Sequence, residues 1–233
     1  MKKRLKINGF IIFLVIVLIA LFPKVFFRKV DAYLSDGVAE VFGIAFILLG
    51  QIFRASARGY KSEYSRQGEA LIQGGPYTLV RNPMYLGILL IGLGIVLVLF
   101  KWWAIFIFLL VFTMRYILLI FKEEKNLKIL FPKIYQDYCK KVPRILPLPK
   151  ALLTQDISEY LPLRFSWLKK EIGSILTVLL LTFCMELFEE IKNRSVKTYL
   201  TEMILIAPVV IFFIYLINHL IKRTGSLKKD VSN

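Results

Sequence analysis

The sequence has few of the residues that most often bind metals or carry protons in proteins. It contains one histidine and two cysteines, and its 16 acidic residues are outnumbered by 32 Lys and Arg. Cys139 and Cys184 form neither a Cys-x-x-Cys pair nor a disulfide framework, so a zinc or redox site has no support. We therefore expect no metal site. His219, at the end of the last apolar run, is interpreted as an interfacial residue and not as a catalytic base.

Charge and hydropathy together exclude an ordinary soluble domain. Hydrophobic residues make up 57% of the 233, the mean hydropathy is +0.64, and a soluble domain usually has about 45–50%. The net charge of +16 is distributed between apolar runs and is not gathered in a separate basic domain. This pattern argues against nucleic-acid binding. It predicts an integral membrane protein whose cytoplasmic loops carry Lys and Arg.

Six apolar runs approach the length of about 20 residues that a helix needs to cross a bilayer. They are residues 7–22, 37–53, 84–100, 102–121, 172–187 and 203–221. Only Lys101 separates the third run from the fourth, which predicts a tight helical hairpin. Gly87 and Gly94 lie seven residues apart on one face, where they would allow a neighbouring backbone to approach closely. The predicted fold class is an all-α, polytopic transmembrane bundle of about six spans.

Basic segments set the predicted topology. They precede the first run and follow the second, fourth and sixth, which places both termini in the cytoplasm. The basic loop 23–36 does not fit this pattern. The remaining features are a short amphipathic surface helix between Pro149 and Pro162, ending with Leu161 on its apolar face, and a kink at Pro208. Three regions result: two N-terminal spans (1–57), a central core (58–149), and a linker with two further spans (150–233).

One polar junction stands out where the third run begins, with the sequence GGPYTLVRNPMYLG from Gly74 to Gly87. Asn82 is a preferred N-cap and Pro83 is favoured at the first helical position, so both residues have a structural explanation. Arg81, Tyr77 and Tyr85 go beyond a helix start. An arginine beside a helix N-terminus suits an anionic group, and tyrosines offer a flat ring and a hydroxyl to a purine or a ribose.

The fourth run supplies a second polar cluster, which the topology places on the same, cytoplasmic side. Arg115, Leu119 and Glu123 are spaced by four residues and share one helical face. Arg115 is either functional or a snorkelling side chain, and the residues leave both possibilities open. Glu123 and Glu124 either form a solvated charged face or bind a cationic ligand. Junction and glutamates together suit a zwitterionic, purine-bearing cation such as S-adenosylmethionine, although a nucleotide also satisfies this chemistry.

The junction, followed by KEEKNLKILFPKIYQDYCKKVPRILP, resembles the isoprenylcysteine carboxyl methyltransferase family and the related membrane phospholipid methyltransferases. The resemblance covers residues 58–147. It implies a methyltransferase that holds S-adenosylmethionine in a cytoplasmic pocket built on the hairpin of the third and fourth runs. The implied cofactor contacts are Glu69, Ala70, Leu71, Ile72, Tyr77, Arg81, Asn82, Pro83, Met84, Tyr85 and Glu123.

The resemblance also implies a cap over the pocket, formed by Tyr135, Tyr138 and Arg144. The chain departs from the family at three places. Asn82 stands where the eukaryotic isoprenylcysteine enzymes have His, and Pro132 replaces a Gly. Leu119 occupies the position of a substrate-facing Arg, so Arg115, one turn deeper, becomes the candidate substrate residue.

The predicted function is transfer of a methyl group from S-adenosylmethionine to a lipophilic acceptor. The acceptor is a membrane lipid head group or a lipidated molecule with an isoprenylcysteine-like carboxylate, and no general base is assigned. Two alternatives remain: an NADPH-dependent membrane reductase of the sterol-reductase type, and a non-catalytic lipid-binding protein. The sequence leaves the oligomeric state open.

Overall fold

The computed structural model of the chain describes residues 21–27, 34–65, 70–147, 157–173, 175–176 and 196–232. Within these ranges the chain is helical, with no strand beyond an isolated bridge between Phe27 and Phe100. The predicted all-α class is confirmed. The first predicted run, 7–22, and the fifth, 172–187, lie largely outside the described residues, so the count of six spans stays a prediction.

Helices occupy most of the described chain. In chain order they are α1 (Pro23–Phe26), α2 (Leu34–Tyr64), α3 (Pro76–Leu79), α4 (Pro83–Leu99), α5 (Trp103–Leu130), α6 (Pro132–Lys141), α7 (Ile157–Tyr160), α8 (165–173) and α9 (Val196–Ser232). Three stretches are long and apolar enough to cross a membrane: Gly37–Tyr64, Trp103–Leu130 and Ile204–Gly225. The apolar helix α4 is shorter, with 17 residues.

Two helices continue past the ends of their apolar runs. Helix α2 extends to Tyr64 and α5 extends to Leu130. The added part of α5, KEEKNLKIL, consists almost entirely of strong helix formers. Hydropathy predicts where the apolar part of a helix ends. The helix itself continues beyond that point, because these residues adopt helical geometry at little cost in free energy. The extensions carry both helices beyond the apolar layer on the junction side.

The tightest packing in the fold joins α2 and α4. A Cβ atom added to Gly87 would lie 2.8 Å from the carbonyl oxygen of Gly50, and one added to Gly94 would lie 2.4 Å from that of Gly43. Each helix therefore contributes two glycines, seven residues apart, to one antiparallel seam. The predicted close approach at Gly87 and Gly94 is confirmed, and the partner helix is α2.

Helix α5 packs much more lightly. It pairs with α4 through few contacts, among them the ring of Phe108 over Gly92. Only 17% of its most apolar stretch is buried, against 44% for α2. The predicted hairpin of α4 and α5 is present, with Phe100, Lys101 and Trp102 as its connection. Most of the α5 surface is available to lipid.

The C-terminal region completes the core, a role that the sequence did not reveal. Phe213 and Leu220 of α9 are buried in the same cluster as Leu79 and Val80 of the junction. The Thr224 hydroxyl accepts a hydrogen bond of 3.0 Å from the backbone N–H of Leu163 and donates one to the Leu220 carbonyl. Pro208 lies inside α9. Helix α9 is therefore part of the scaffold beneath the junction.

The amphipathic helix predicted before Pro162 is only partly present in the described residues. Helix α7 ends at Tyr160, and Leu161 is buried in the protein core, away from a membrane surface. The chain is held inward here because the Ser56 hydroxyl donates a 2.7 Å hydrogen bond to the Pro162 carbonyl. Leu153 lies outside the described residues.

Ion pairs attach α8 to the end of α2. The buried carboxylate of Glu171 contacts Arg58 at 2.6 Å and Arg54 at 3.4 Å, and Arg164 pairs with Glu63. Trp167 covers Gly59, where an added Cβ would overlap its ring. The last turns of α2 are thereby fixed against the segment that leads into the fifth predicted run.

The opposite end of the hairpin contacts the N-terminal segment. The Lys101 ammonium donates to the Lys24 carbonyl at 2.8 Å, and the Lys101 backbone N–H donates to the Phe26 carbonyl at 3.1 Å. Residues 23–27 thus lie at the Lys101 end of α4 and α5, and the junction lies at the other end. The order of the predicted spans requires this arrangement, although the basic charge of residues 23–36 does not fit the loop-charge pattern.

Candidate functional site

The turn before the junction is shaped by glycine. Gly75 has φ +57 and ψ −133, a conformation that L side chains rarely adopt. A Cβ on Gly74 would lie 2.5 Å from the Tyr60 hydroxyl, and one on Gly75 would lie 2.9 Å from the Tyr60 ring. The turn packs directly on the α2 extension and delivers the chain into α3, where Tyr77 lies.

Helix α4 begins as predicted, with Pro83 at the first helical position. Asn82 occupies the N-cap position, but its side chain makes no capping hydrogen bond. Its amide nitrogen instead donates to Glu124 at 3.3 Å and to the Arg144 carbonyl at 3.1 Å. The structural reading of Asn82 as a helix cap is therefore incomplete, because its side chain joins the junction to two distant segments.

Glu124 is the centre of this connection. Its carboxylate is 3% exposed and contacts Arg81 at 3.2 Å. Arg144 binds it through two nitrogens: Nε lies 3.1 and 3.2 Å from the two oxygens, and Nη2 lies 3.0 Å from one of them. A fork of this kind is the strongest geometry for an arginine–carboxylate pair. Arg81, predicted to meet a ligand, is turned inward and also contacts Cys139 at 3.0 Å.

Glu123 faces the other way. It is exposed, and among the described residues it makes one hydrogen bond, from the Tyr85 hydroxyl at 2.8 Å. The Tyr85 ring packs on Tyr116 with ring centroids 5.4 Å apart. Two neighbouring glutamates therefore have different surroundings, and Glu123 keeps acceptor capacity for a ligand.

Helix α6 covers the junction. The Tyr138 hydroxyl donates a 2.6 Å hydrogen bond to the Tyr77 carbonyl, and Tyr135 is 1% exposed beside Arg81 and Cys139. Pro132, which replaces the family's Gly, is the first residue of the helix, where proline is favoured. The implied cap of Tyr135, Tyr138 and Arg144 is thus close to the junction.

The tyrosines of the site are held neutral. Burial, supported by the charge of Glu123, raises the pKa of Tyr77 above its ordinary value of 10.0. Burial also raises the pKa of Tyr138 and of Tyr135. Since the neutral phenol is favoured at physiological pH, these side chains do not act as bases, and the hydroxyls of Tyr77 and Tyr138 donate hydrogen bonds to backbone carbonyls.

The other predicted residues lie before the turn and on helices α4 and α5. Ala70, Leu71 and Ile72 precede the turn, and the Ala70 carbonyl accepts a hydrogen bond from Ser65. Met84 is half-buried in the first turn of α4. Glu69 lies outside the described residues. Arg115 is exposed on α5, two turns before Glu123. The described part of the chain contains no cluster of three His, Cys, Asp or Glu residues that could hold a metal.

Glu124, which the sequence pattern did not distinguish from Glu123 as a site residue, is the buried member of the pair. A usable signal was present: Phe112, Ile120 and Glu124 are the buried residues of α5, and their separations are multiples of four. Residues with this spacing share one helical face. Continuing the apolar stripe would have assigned Glu124 to the protein interior, where a carboxylate needs cationic partners.

Comparison with known proteins agrees with the motif resemblance. Residues 38–134 match a family model described as phospholipid methyltransferase. The matched segment runs from α2 into α6 and includes the junction and both glutamates, so the resemblance to this methyltransferase group is confirmed. The searches of curated proteins and of solved structures found no match.

Proposed function

With residues 38–134 matching the phospholipid methyltransferase family, we propose that the chain is a membrane methyltransferase that transfers a methyl group from S-adenosylmethionine to a phospholipid head group. The observation that carries this proposal is the pair of Glu123 and Tyr85. It offers an exposed carboxylate and a phenol, 2.8 Å apart, at the open end of the α4–α5 hairpin.

The residues at this end fit a cationic, purine-bearing cofactor. Glu123 supplies the negative charge that stabilises a cation, and its one hydrogen bond leaves further lone pairs available. Tyr77 and Tyr85 supply neutral donors and aromatic faces. Met84 and the segment 69–72 would line the remaining surface, as the family resemblance implies. Arg81 and Asn82 would contribute by holding the pocket, since both side chains contact Glu124.

The acceptor would arrive from the bilayer along α5. Arg115 shares the face of Glu123 and lies about 12 Å deeper along the helix axis, from eight residues at 1.5 Å each. A guanidinium at that depth is suited to an anionic group of the acceptor, such as a phosphate. Both termini and the site would lie on the cytoplasmic side, as the loop charges indicate.

When bound, the cofactor supplies an electrophilic methyl group on a sulfonium. Tyr77, Tyr85 and Glu123 would hold this group, which would supply the methyl to a nitrogen of the acceptor, and the proton released from that amine would pass to solvent. The chain's own contribution is to orient the two partners in line and to exclude water, which supply much of the catalysis in such a displacement. No side chain is assigned as a general base.

Ligand-dependent thermal stabilisation of the purified protein in detergent tests the cofactor. S-adenosylhomocysteine at a hundred times its Kd should stabilise the protein by about 2.7 kcal/mol, and NADPH should not. Glu123→Gln removes a charge-assisted contact worth about 1.5–3 kcal/mol, so the affinity for S-adenosylhomocysteine should fall about tenfold to hundredfold. Asp137→Asn is the matched control, since Asp137 is an exposed carboxylate on the neighbouring helix α6 and pairs with Lys140.

Stabilisation by NADPH in place of S-adenosylhomocysteine would contradict the methyltransferase proposal. Equal binding by Glu123→Gln and Asp137→Asn would contradict the site. For the acceptor, label from a methyl-labelled cofactor should enter the phospholipid fraction of membranes that contain the protein. Arg115→Gln should raise the KM for the lipid acceptor and leave that for the cofactor unchanged.

A further inference from the structure

Glu124 joins three parts of the chain that are far apart in sequence. Its buried carboxylate receives Arg81 and Asn82, which precede α4, and Arg144, which follows α6. Two arginines thus converge on one position inside the protein. Without a carboxylate between them the two guanidinium groups would repel each other, and nothing would offset the free-energy cost of removing their charges from water.

The backbones of the two segments are also paired at this point. The Arg81 N–H donates to the Pro143 carbonyl at 2.8 Å, and the Asn82 N–H donates to the Arg144 carbonyl at 3.2 Å. Glu124 therefore holds together a contact between the start of α4 and the end of the cap. Tyr85 lies in the first turn of α4, so its position depends on this contact.

The same carboxylate helps to fix the rotation of α5. Successive residues of a helix are about 100° apart around its axis, so the inward direction of Glu124 decides the direction of Glu123. Phe112 and Ile120 are buried on the same face and set this rotation along the apolar stretch, and Glu124 continues it into the extension that carries Glu123. With Glu124 bound to its three partners, Glu123 lies against the Tyr85 hydroxyl.

We infer that Glu124 is a positioning residue and that only the first glutamate of the Glu123–Glu124 pair contacts the ligand. This inference rests on the proposed function for the identity of the ligand. Glu124 acts through Arg81, Asn82 and Arg144 to place Tyr85 and Glu123. The two adjacent carboxylates therefore have separate roles.

Glu124→Gln in the full-length protein, reconstituted in phospholipid nanodiscs, tests the inference. Glutamine keeps the side-chain length and loses the charge. The expected result is a KM for S-adenosylmethionine raised by about tenfold or more, because the pocket is displaced, with kcat within about threefold, because no reacting group is removed. Amide hydrogen exchange should accelerate at both residues 81–86 and residues 142–146. Glu123→Gln should weaken binding and leave exchange in these segments unchanged.

Unchanged KM together with unchanged exchange in Glu124→Gln would overturn the inference. Loss of cofactor binding with unchanged exchange would also overturn it, since it would mean direct ligand contact. If Glu124→Gln does not fold, Arg144→Gln is the second variant. Arg144 is partly exposed, and its replacement removes only one of the three partners of Glu124. The KM for S-adenosylmethionine and the amide exchange are measured in the same way. Failure of the proposed function can be told apart from failure of this inference. If the wild-type protein binds no S-adenosylhomocysteine, amide hydrogen exchange in Glu124→Gln still shows whether Glu124 positions residues 81–86 and 142–146.

Discussion

Replacing Gly94 with Ala tests the seam that fixes α4 against α2. The new Cβ would lie 2.4 Å from the Gly43 carbonyl oxygen and 2.6 Å from a side-chain carbon of Ile47. Ordinary contact begins at 3.4 Å, so the backbones must separate by 3.4 − 2.4 = 1.0 Å at this point. The atom in the way belongs to a helix backbone, which cannot rotate aside as a side chain can.

Two opposing effects determine the size of the change. Overpacking of a tight contact costs about 1–3 kcal/mol, and Ala improves on Gly inside a helix by about 1 kcal/mol. The expected net destabilisation is up to about 2 kcal/mol, or up to about 8 °C in Tm for a chain of this size, and the difference from an unhindered Gly-to-Ala change is about 1–3 kcal/mol. Cofactor affinity should also fall, because the displaced helix carries Tyr85 at its first turn.

Thermal unfolding in detergent, followed by intrinsic tryptophan fluorescence, measures the effect. Gly92→Ala is a matched control on the same helix, since the three atoms nearest its Cβ all belong to the Phe108 ring, a side chain that can turn away. Gly225→Ala is a second control with nothing within 4 Å, and it should be neutral or stabilising by up to about 1 kcal/mol. A Gly94→Ala protein as stable as Gly225→Ala would refute the reasoning about the seam.

Three further predictions concern the surroundings of the site. Gly75→Ala should cost about 1–3 kcal/mol, because its backbone conformation is nearly restricted to glycine, and an unchanged Tm would contradict this. Replacing Arg54 and Arg58 together by Gln should cost about 3–5 kcal/mol by stranding the buried Glu171 charge, and adding Glu171→Gln should restore most of it; no rescue in Tm would reject that explanation. The raised pKa of Tyr138 means that the folded protein holds the phenol proton more tightly than the unfolded chain does. The stability of the fold that depends on this proton is therefore complete below pH 10.0, and it is lost as the pH rises above that value. Tyr138→Phe should therefore lose less stability between pH 9 and pH 11 than wild type in the same unfolding assay, and an identical loss would count against this.

Sequence alone was sufficient for the elements that depend on local patterns. The start of α4 at Pro83, the hairpin at Lys101 and the glycine face of α4 follow from short-range rules of helix geometry and hydropathy. The same holds for the placement of the junction and Glu123 at one end of the hairpin, which the loop charges indicated before any contact was known.

The missed features depend on contacts between distant parts of the chain. The partner of the glycine seam is α2 because Gly43 and Gly50 match Gly87 and Gly94 in antiparallel register, and single-chain hydropathy does not identify helix partners. Asn82 occupies the N-cap position that local rules predict, but its side-chain amide donates to the carbonyl of Arg144, 62 residues later, and makes no capping hydrogen bond. Tertiary contacts of this kind override local preference.

The packing of α9 has a consequence for the order in which the site can form. Phe213 and Leu220 share one buried cluster with Leu79 and Val80, and the Leu163 N–H donates its hydrogen bond to Thr224. The segment that carries the family match ends at residue 134, well before these partners are synthesised. During biogenesis the apolar side chains of the junction would leave the ribosome without their α9 partners. They would become buried only after this last helix had been synthesised and had packed. Assembly of this protein therefore depends on long-range contacts that form late, which are the slow ones in folding.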